Sequence, residues 1–118
     1  MPPTEYTLWF NPRCSKCRQA LELLQVKGIE PELRVYIENP PTPAEVEELA
    51  KKLKLPAQAL ARTGDDEYRS LKLSEQTPHA QMVQALAEHP RLIERPILVR
   101  GDRAVIGRPP ERVLELIG

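Results

Sequence analysis

The sequence has little of what would build a membrane-spanning, metal-stapled or disulfide-stapled protein. No uncharged stretch approaches the roughly 18 apolar residues that a transmembrane helix needs. The opening Met1-Pro2-Pro3-Thr4-Glu5-Tyr6 lacks the basic stretch and apolar run of a secretory signal. Two cysteines are too few for a disulfide framework or a four-cysteine zinc site. Net charge is absent too: 17 basic and 17 acidic side chains cancel, so the chain lacks the electrostatic footprint of a duplex-binding protein. Five glycines and thirteen prolines together stay below the roughly 25–30% that marks disorder. There is no internal repeat or linker. A cytoplasmic, monomeric protein is therefore expected, one domain over residues 1–118, with no membrane contact and no direct nucleic-acid partner.

What is present alternates between strand and helix patterns. Tyr6-Thr7-Leu8-Trp9-Phe10 reads as a buried strand ending at Asn11-Pro12. Cys17, Ala20, Leu21 and Leu24 recur at helical spacing, and Gly28 stands where a C-terminal cap belongs. Leu33 to Ile37 reads as a second strand, which makes a βαβ unit with a parallel pair. A helical insert follows over about 42–89. Thr42-Pro43-Ala44-Glu45 carries a capping-box start, and Thr77-Pro78 repeats the N-cap and proline device. Pro96-Ile97-Leu98-Val99-Arg100 and Arg103-Ala104-Val105-Ile106 flank Gly101-Asp102, the signal of a hairpin with a type II′ turn. A last helix over 110–117 is predicted to bury Val113, Leu114 and Ile117. The order βαβ, insert, ββα implies an α/β, thioredoxin-like fold: a four-stranded mixed sheet flanked by helices.

Both cysteines fall in Cys14-Ser15-Lys16-Cys17, at a strand-to-helix junction. A cysteine there meets free backbone N–H groups and the positive end of the helix dipole, and both favour the thiolate. Arg13, Lys16 and Arg18 add positive charge nearby. Cys17, one turn on, is placed either to resolve a bond formed at Cys14 or simply to pack in the core. A metal reading finds no ligand set, because His79 and His89 lie far off in sequence. A helix N-terminus that activates a thiol also suits a tetrahedral oxyanion, and arginines match such an anion with their planar forks. Arg62, Arg95 and Arg108 each stand at the end of a predicted element.

Four separated motifs carry a family resemblance: Asn11-Pro12-Arg13-Cys14-Ser15-Lys16, Tyr36-Ile37-Glu38-Asn39-Pro40-Pro41, Arg95-Pro96-Ile97 and Gly107-Arg108-Pro109-Pro110-Glu111. In order and spacing the chain resembles the glutaredoxin-linked arsenate reductase (ArsC) family from Tyr6 to Ile117. The resemblance implies a thioredoxin-like fold with an inserted helical segment. It also implies that Cys14 attacks arsenate, that Arg62, Arg95 and Arg108 clamp the oxyanion with help from Asn11 and Ser15, and that Pro96 is cis. No bound cofactor is implied. The reductant would be an external thiol system, either glutathione with glutaredoxin or thioredoxin.

Two positions depart from the well-studied branch of that family. Phe10 stands where the branch has a histidine before the Asn-Pro, and Cys17 makes a CxxC that the branch lacks. The CxxC leaves two routes after attack, with either Cys17 or an external thiol displacing arsenite. It also leaves two other functional classes. One is an Spx-type redox switch that binds RNA polymerase; the other is a general thiol–disulfide oxidoreductase.

Overall fold

The computed structural model describes residues 5–117. The chain divides into two compact units, Met1–Asn39 with Arg95–Gly118, and Pro40–Glu94.

The first unit holds the sheet. Strand β1 (Tyr6–Trp9) leads into helix α1 (Ser15–Val26), then strand β2 (Glu32–Arg34); strands β3 (Ile97–Arg100) and β4 (Arg103–Ile106) return after the second unit. The strand order is β2-β1-β3-β4. β1 pairs parallel with β2 and antiparallel with β3, and β3 pairs antiparallel with β4, which is the mixed sheet expected from the sequence. Leu8, Leu98 and Val105 stand opposite one another across β1, β3 and β4. They share one core with Cys17, Ala20 and Leu24 of α1. The spacing i, i+3, i+7 gives α1 its single buried stripe. Its end is a Schellman cap: Gly28 takes φ +79 and donates to the Gln25 carbonyl at 2.9 Å, while the Ile29 N–H reaches Leu24 at 2.9 Å.

The second unit contains α2 (Pro43–Leu53), α3 (Asp66–Ser70) and α4 (His79–Glu88), with 3₁₀ turns at Ala57–Leu60 and Pro90–Leu92. The capping box forms as expected: the Glu45 N–H donates to the Thr42 hydroxyl at 3.1 Å, and the Thr42 N–H to the Glu45 carboxylate at 3.0 Å. This unit spans more than the predicted insert.

Expectations at three elements are corrected. The second strand is Glu32–Arg34, not Leu33–Ile37, because the Val35 carbonyl accepts the N–H groups of Glu38 and Asn39, both at 3.0 Å, and turns the chain. Residues 36–38 are turn, so Tyr36 is free of strand alternation. Thr77 does not cap α4. Its hydroxyl accepts the Ser74 N–H at 2.8 Å, and Pro78 holds the cap position without a side-chain bond. The last element is a 3₁₀ helix, Pro110–Leu116, which buries Pro110, Val113 and Leu116 at three-residue intervals; Leu114 and Ile117 are only partly covered. The hairpin stands as expected, with Gly101 at φ +62; among the described non-glycine residues only Lys54 and Lys72 have positive φ, as a type II′ turn requires of Asp102.

Gly107 sits where β4 leaves the sheet. A Cβ there would lie 2.9 Å from the Pro96 ring and 2.9 Å from Val113. The proline ring has little freedom to yield. Gly107→Ala is therefore expected to cost about 1–3 kcal/mol by overpacking, read as a lower urea midpoint at unchanged slope. An unaltered midpoint would contradict the close approach.

Candidate active site

β1 ends at Trp9, and the Phe10 N–H still reaches the β2 edge at the Arg34 carbonyl, 2.9 Å away. Asn11 then builds the turn. Its side-chain oxygen accepts the Arg13 N–H at 3.0 Å and its carbonyl accepts the Cys14 N–H at 2.9 Å. The result delivers Cys14 to the N-cap of α1 with extended backbone (φ −95°, ψ 118°), while Ser15 opens the helix, exposed. The Cys14 side chain makes no capping hydrogen bond of strict geometry, yet the Cys17 N–H in the first turn acts on its sulfur.

Burial pushes the Cys14 thiol up, but it is outweighed. The Cys17 N–H, the Cys17 thiol and the Arg95 guanidinium all favour the charged sulfur, and the net shift is downward. Cys17 behaves in the opposite way. Burial, then the proximity of Cys14, push its thiol up to about 12, against a lowering contribution from the Asn11 N–H. The two thiols are thus shifted apart, Cys14 toward the thiolate and Cys17 toward its protonated form. Both cysteines are free thiols here, Cys17 with no exposed surface and Cys14 with 9%.

Arg95 is the main source of positive charge at Cys14. Burial alone would lower its own pKa, but Cys14 and Tyr36 outweigh that and raise it. The nearby basic residues of the sequence do not serve this purpose. Arg13 and Lys16 are exposed, and Arg18 gives its guanidinium to the Pro12 carbonyl at 2.7 Å. Arg108 joins Arg95 directly. Its Nε donates to the Arg95 carbonyl at 2.7 Å, and the Gly107 N–H donates to the Pro96 carbonyl at 2.8 Å, so the two arginine loops are tied together. Arg95-Pro96 is cis, as the resemblance implied, and so is Arg108-Pro109. Arg62 lies in the second unit, where its guanidinium faces Asp65 at 3.4 Å and Glu94 at 3.8 Å. His79 pairs with Glu47, and His89 with Glu67 at 3.3 Å, also in that unit. Among the described residues no cluster of three or more His, Cys, Asp or Glu is arranged to hold a metal.

One residue that the sequence did not single out belongs to this site. Tyr36 is fully buried. Its ring is tilted by 35° against Trp9 with centroids 5.7 Å apart, and its hydroxyl lies within electrostatic reach of Arg95, Cys17 and Cys14. The only legible signal was its place at the head of the Tyr36-Ile37-Glu38-Asn39-Pro40-Pro41 motif.

The chain is similar to known proteins over nearly its whole length. The model of the ArsC family matches residues 9–116. An arsenate reductase of Haemophilus influenzae is 43% identical over 112 residues, which cover 93% of this chain and 97% of that protein. An arsenate reductase of Neisseria meningitidis is 39% identical over 111 residues, 92% of this chain and 95% of that one. The solved structure of an arsenate reductase from Vibrio cholerae superimposes with a TM-score of 0.91 at 40% identity, covering 95% of this chain and 97% of its own.

Proposed function

The chain belongs to the ArsC family, and from that premise we propose that it reduces arsenate to arsenite with thiol electrons, using Cys14 as the nucleophile. The observation that carries the proposal is the lowered Cys14 thiol at the N-terminus of α1, facing Arg95. Arg95 and Arg108, tied by the 2.7 Å bond, supply the oxyanion clamp. Asn11 shapes the loop rather than lending its side chain, since Oδ1 is engaged by the Arg13 N–H. Ser15 adds its N–H at the first helical position.

The Cys14 thiolate attacks arsenic. A sulfur–arsenic bond forms, one arsenic–oxygen bond breaks, and that oxygen leaves as water after protonation; arsenic stays pentavalent. A second thiolate then attacks the Cys14 sulfur. A disulfide forms, the sulfur–arsenic bond breaks with its electron pair left on arsenic, and trivalent arsenite departs.

We assign that second attack to Cys17. In the resting protein it holds its proton and donates to Cys14. Once Cys14 is bonded to arsenic, its charge and its role as acceptor vanish, and with them two of the influences that raise Cys17. The Asn11 N–H remains to favour the Cys17 thiolate. Thioredoxin or the glutathione–glutaredoxin system then reduces the Cys14–Cys17 disulfide.

The test is arsenate-dependent arsenite formation, followed by arsenic speciation with each reductant in turn. Cys17→Ser is expected to lose at least about tenfold of thioredoxin-coupled turnover, because the thiol that closes the disulfide is gone. Unchanged turnover would remove Cys17 from the pathway and leave the second attack to an external thiol.

A further inference from the structure

The Tyr36 hydroxyl has no part in the scheme above, yet it is fully buried; its oxygen is engaged by the Arg95 side chain, which can only donate, and its O–H has no acceptor among the described residues. Leaving a buried O–H without an acceptor costs about 1–3 kcal/mol, and phenylalanine would fill the same space without that cost. The fold places Tyr36 at the end of the sheet that carries the site. Trp9, at the end of β1, stands opposite Arg34 of β2 and Ile97 of β3. Tyr36 lies just past Arg34 and Arg95 just before Ile97, so both belong to the end of the sheet from which the Cys14 loop departs. The Trp9 indole fixes the Tyr36 ring from one side, and Arg34 caps that indole at 5.0 Å.

Arg95 acts on both the Cys14 sulfur and the Tyr36 oxygen, which sets the phenol beside the cation that faces the thiolate. Burial, only partly opposed by Arg95, holds the phenol well above its ordinary value. It therefore stays protonated at neutral pH and has an O–H to give.

We propose that Tyr36 is an oxyanion-binding residue, donating its O–H to an oxygen of the tetrahedral anion held beside Cys14 and Arg95. This rests on the reading of the site as arsenate-reducing and adds to it a neutral donor. Two cationic arginines attract any anion; a fixed phenol hydroxyl also requires an acceptor oxygen at one place.

The experiment compares the wild-type protein with Tyr36→Phe in arsenate-dependent turnover, and measures Cys14 alkylation against pH without arsenate. The expected result is a KM for arsenate raised about tenfold or more, the weight of a hydrogen bond to a charged group, with kcat little changed because the bond persists through the reaction. The alkylation profile should stay where it was, whereas a merely structural defect would move it. An unchanged KM beside normal wild-type turnover overturns the proposal alone; absent wild-type turnover overturns the underlying reading as well. A second measurement leaves the core intact. With 3-fluorotyrosine in place of tyrosine, the Tyr36 fluorine resonance should shift on adding arsenate, and a resonance unmoved at saturating arsenate overturns the proposal.

Discussion

Cys14→Ser is expected to abolish arsenate reduction, a loss of at least about a thousandfold that leaves only the background reaction of the external thiol. Serine retains the shape of the N-cap and would cap α1 at least as well as cysteine, so the fold should persist. It removes three things together: the charged nucleophile, the sulfur that bonds arsenic, and one partner of the disulfide. Arsenite assays on the folded variant check this. Far-ultraviolet circular dichroism shows whether α1 survives. Residual turnover within tenfold of wild type would mean that the reaction does not pass through Cys14.

Arg95→Ala should be the next most damaging change, at about 10²–10³ in kcat/KM, the range for removing a fixed electrostatic donor. Two effects combine. The anion loses a bidentate partner, and Cys14 loses a cation that holds its thiol down. The sign of the pH dependence follows. A thiol lowered in the folded state favours the thiolate, so its contribution to stability is present above the unfolded-state value of about 8.5. That contribution is lost as pH falls through the lower folded value. In wild type, alkylation of Cys14 therefore reaches its plateau at lower pH than for an ordinary thiol, and Arg95→Ala should move the profile upward. Arg95→Lys should restore the profile more fully than turnover, because an ammonium supplies charge without the fork. Cys17, raised to about 12, favours the protonated form. Its contribution to stability is complete below the ordinary thiol value and is lost as pH climbs toward 12. The two cysteines thus bias stability in opposite directions across the neutral and alkaline range.

The parts of this architecture that the sequence announced are those decided within a few residues. The α1 stripe of Cys17, Ala20 and Leu24, the Gly28 cap, the Thr42–Glu45 capping box and the Gly101-Asp102 turn are all local, and each is in place. Expectations failed where a backbone or side-chain group had a competing partner. The Val35 carbonyl closed a turn and shortened β2, and the Thr77 hydroxyl served Ser74 instead of α4. At the chain's end a three-residue period put Leu116, rather than Ile117, into the core.

The site divides in the same way. Cys14 at a helix start was legible because strand, turn and helix are contiguous. What lowers its thiol was not, because Arg95 comes from beyond the whole second unit and reaches Cys14 through the β1–β3 pairing. Nearby positive charge was a poor guide: Arg13 and Lys16 point to solvent and Arg18 is spent on Pro12. Tyr36 was hidden for a related reason. It was read as part of a strand over Leu33 to Ile37, whereas residues 36–38 are turn, and its link to Arg95 spans the whole second unit in sequence.

The most direct test of the central claim is a single turnover without external reductant. Fully reduced protein is mixed with excess arsenate, arsenite is measured by speciation, and the remaining thiols are titrated under denaturing conditions. The two-electron balance predicts one arsenite per chain and the loss of both thiols, with the Cys14–Cys17 disulfide found by mass spectrometry of the digested protein. Two titratable thiols and no arsenite after prolonged incubation would contradict the account.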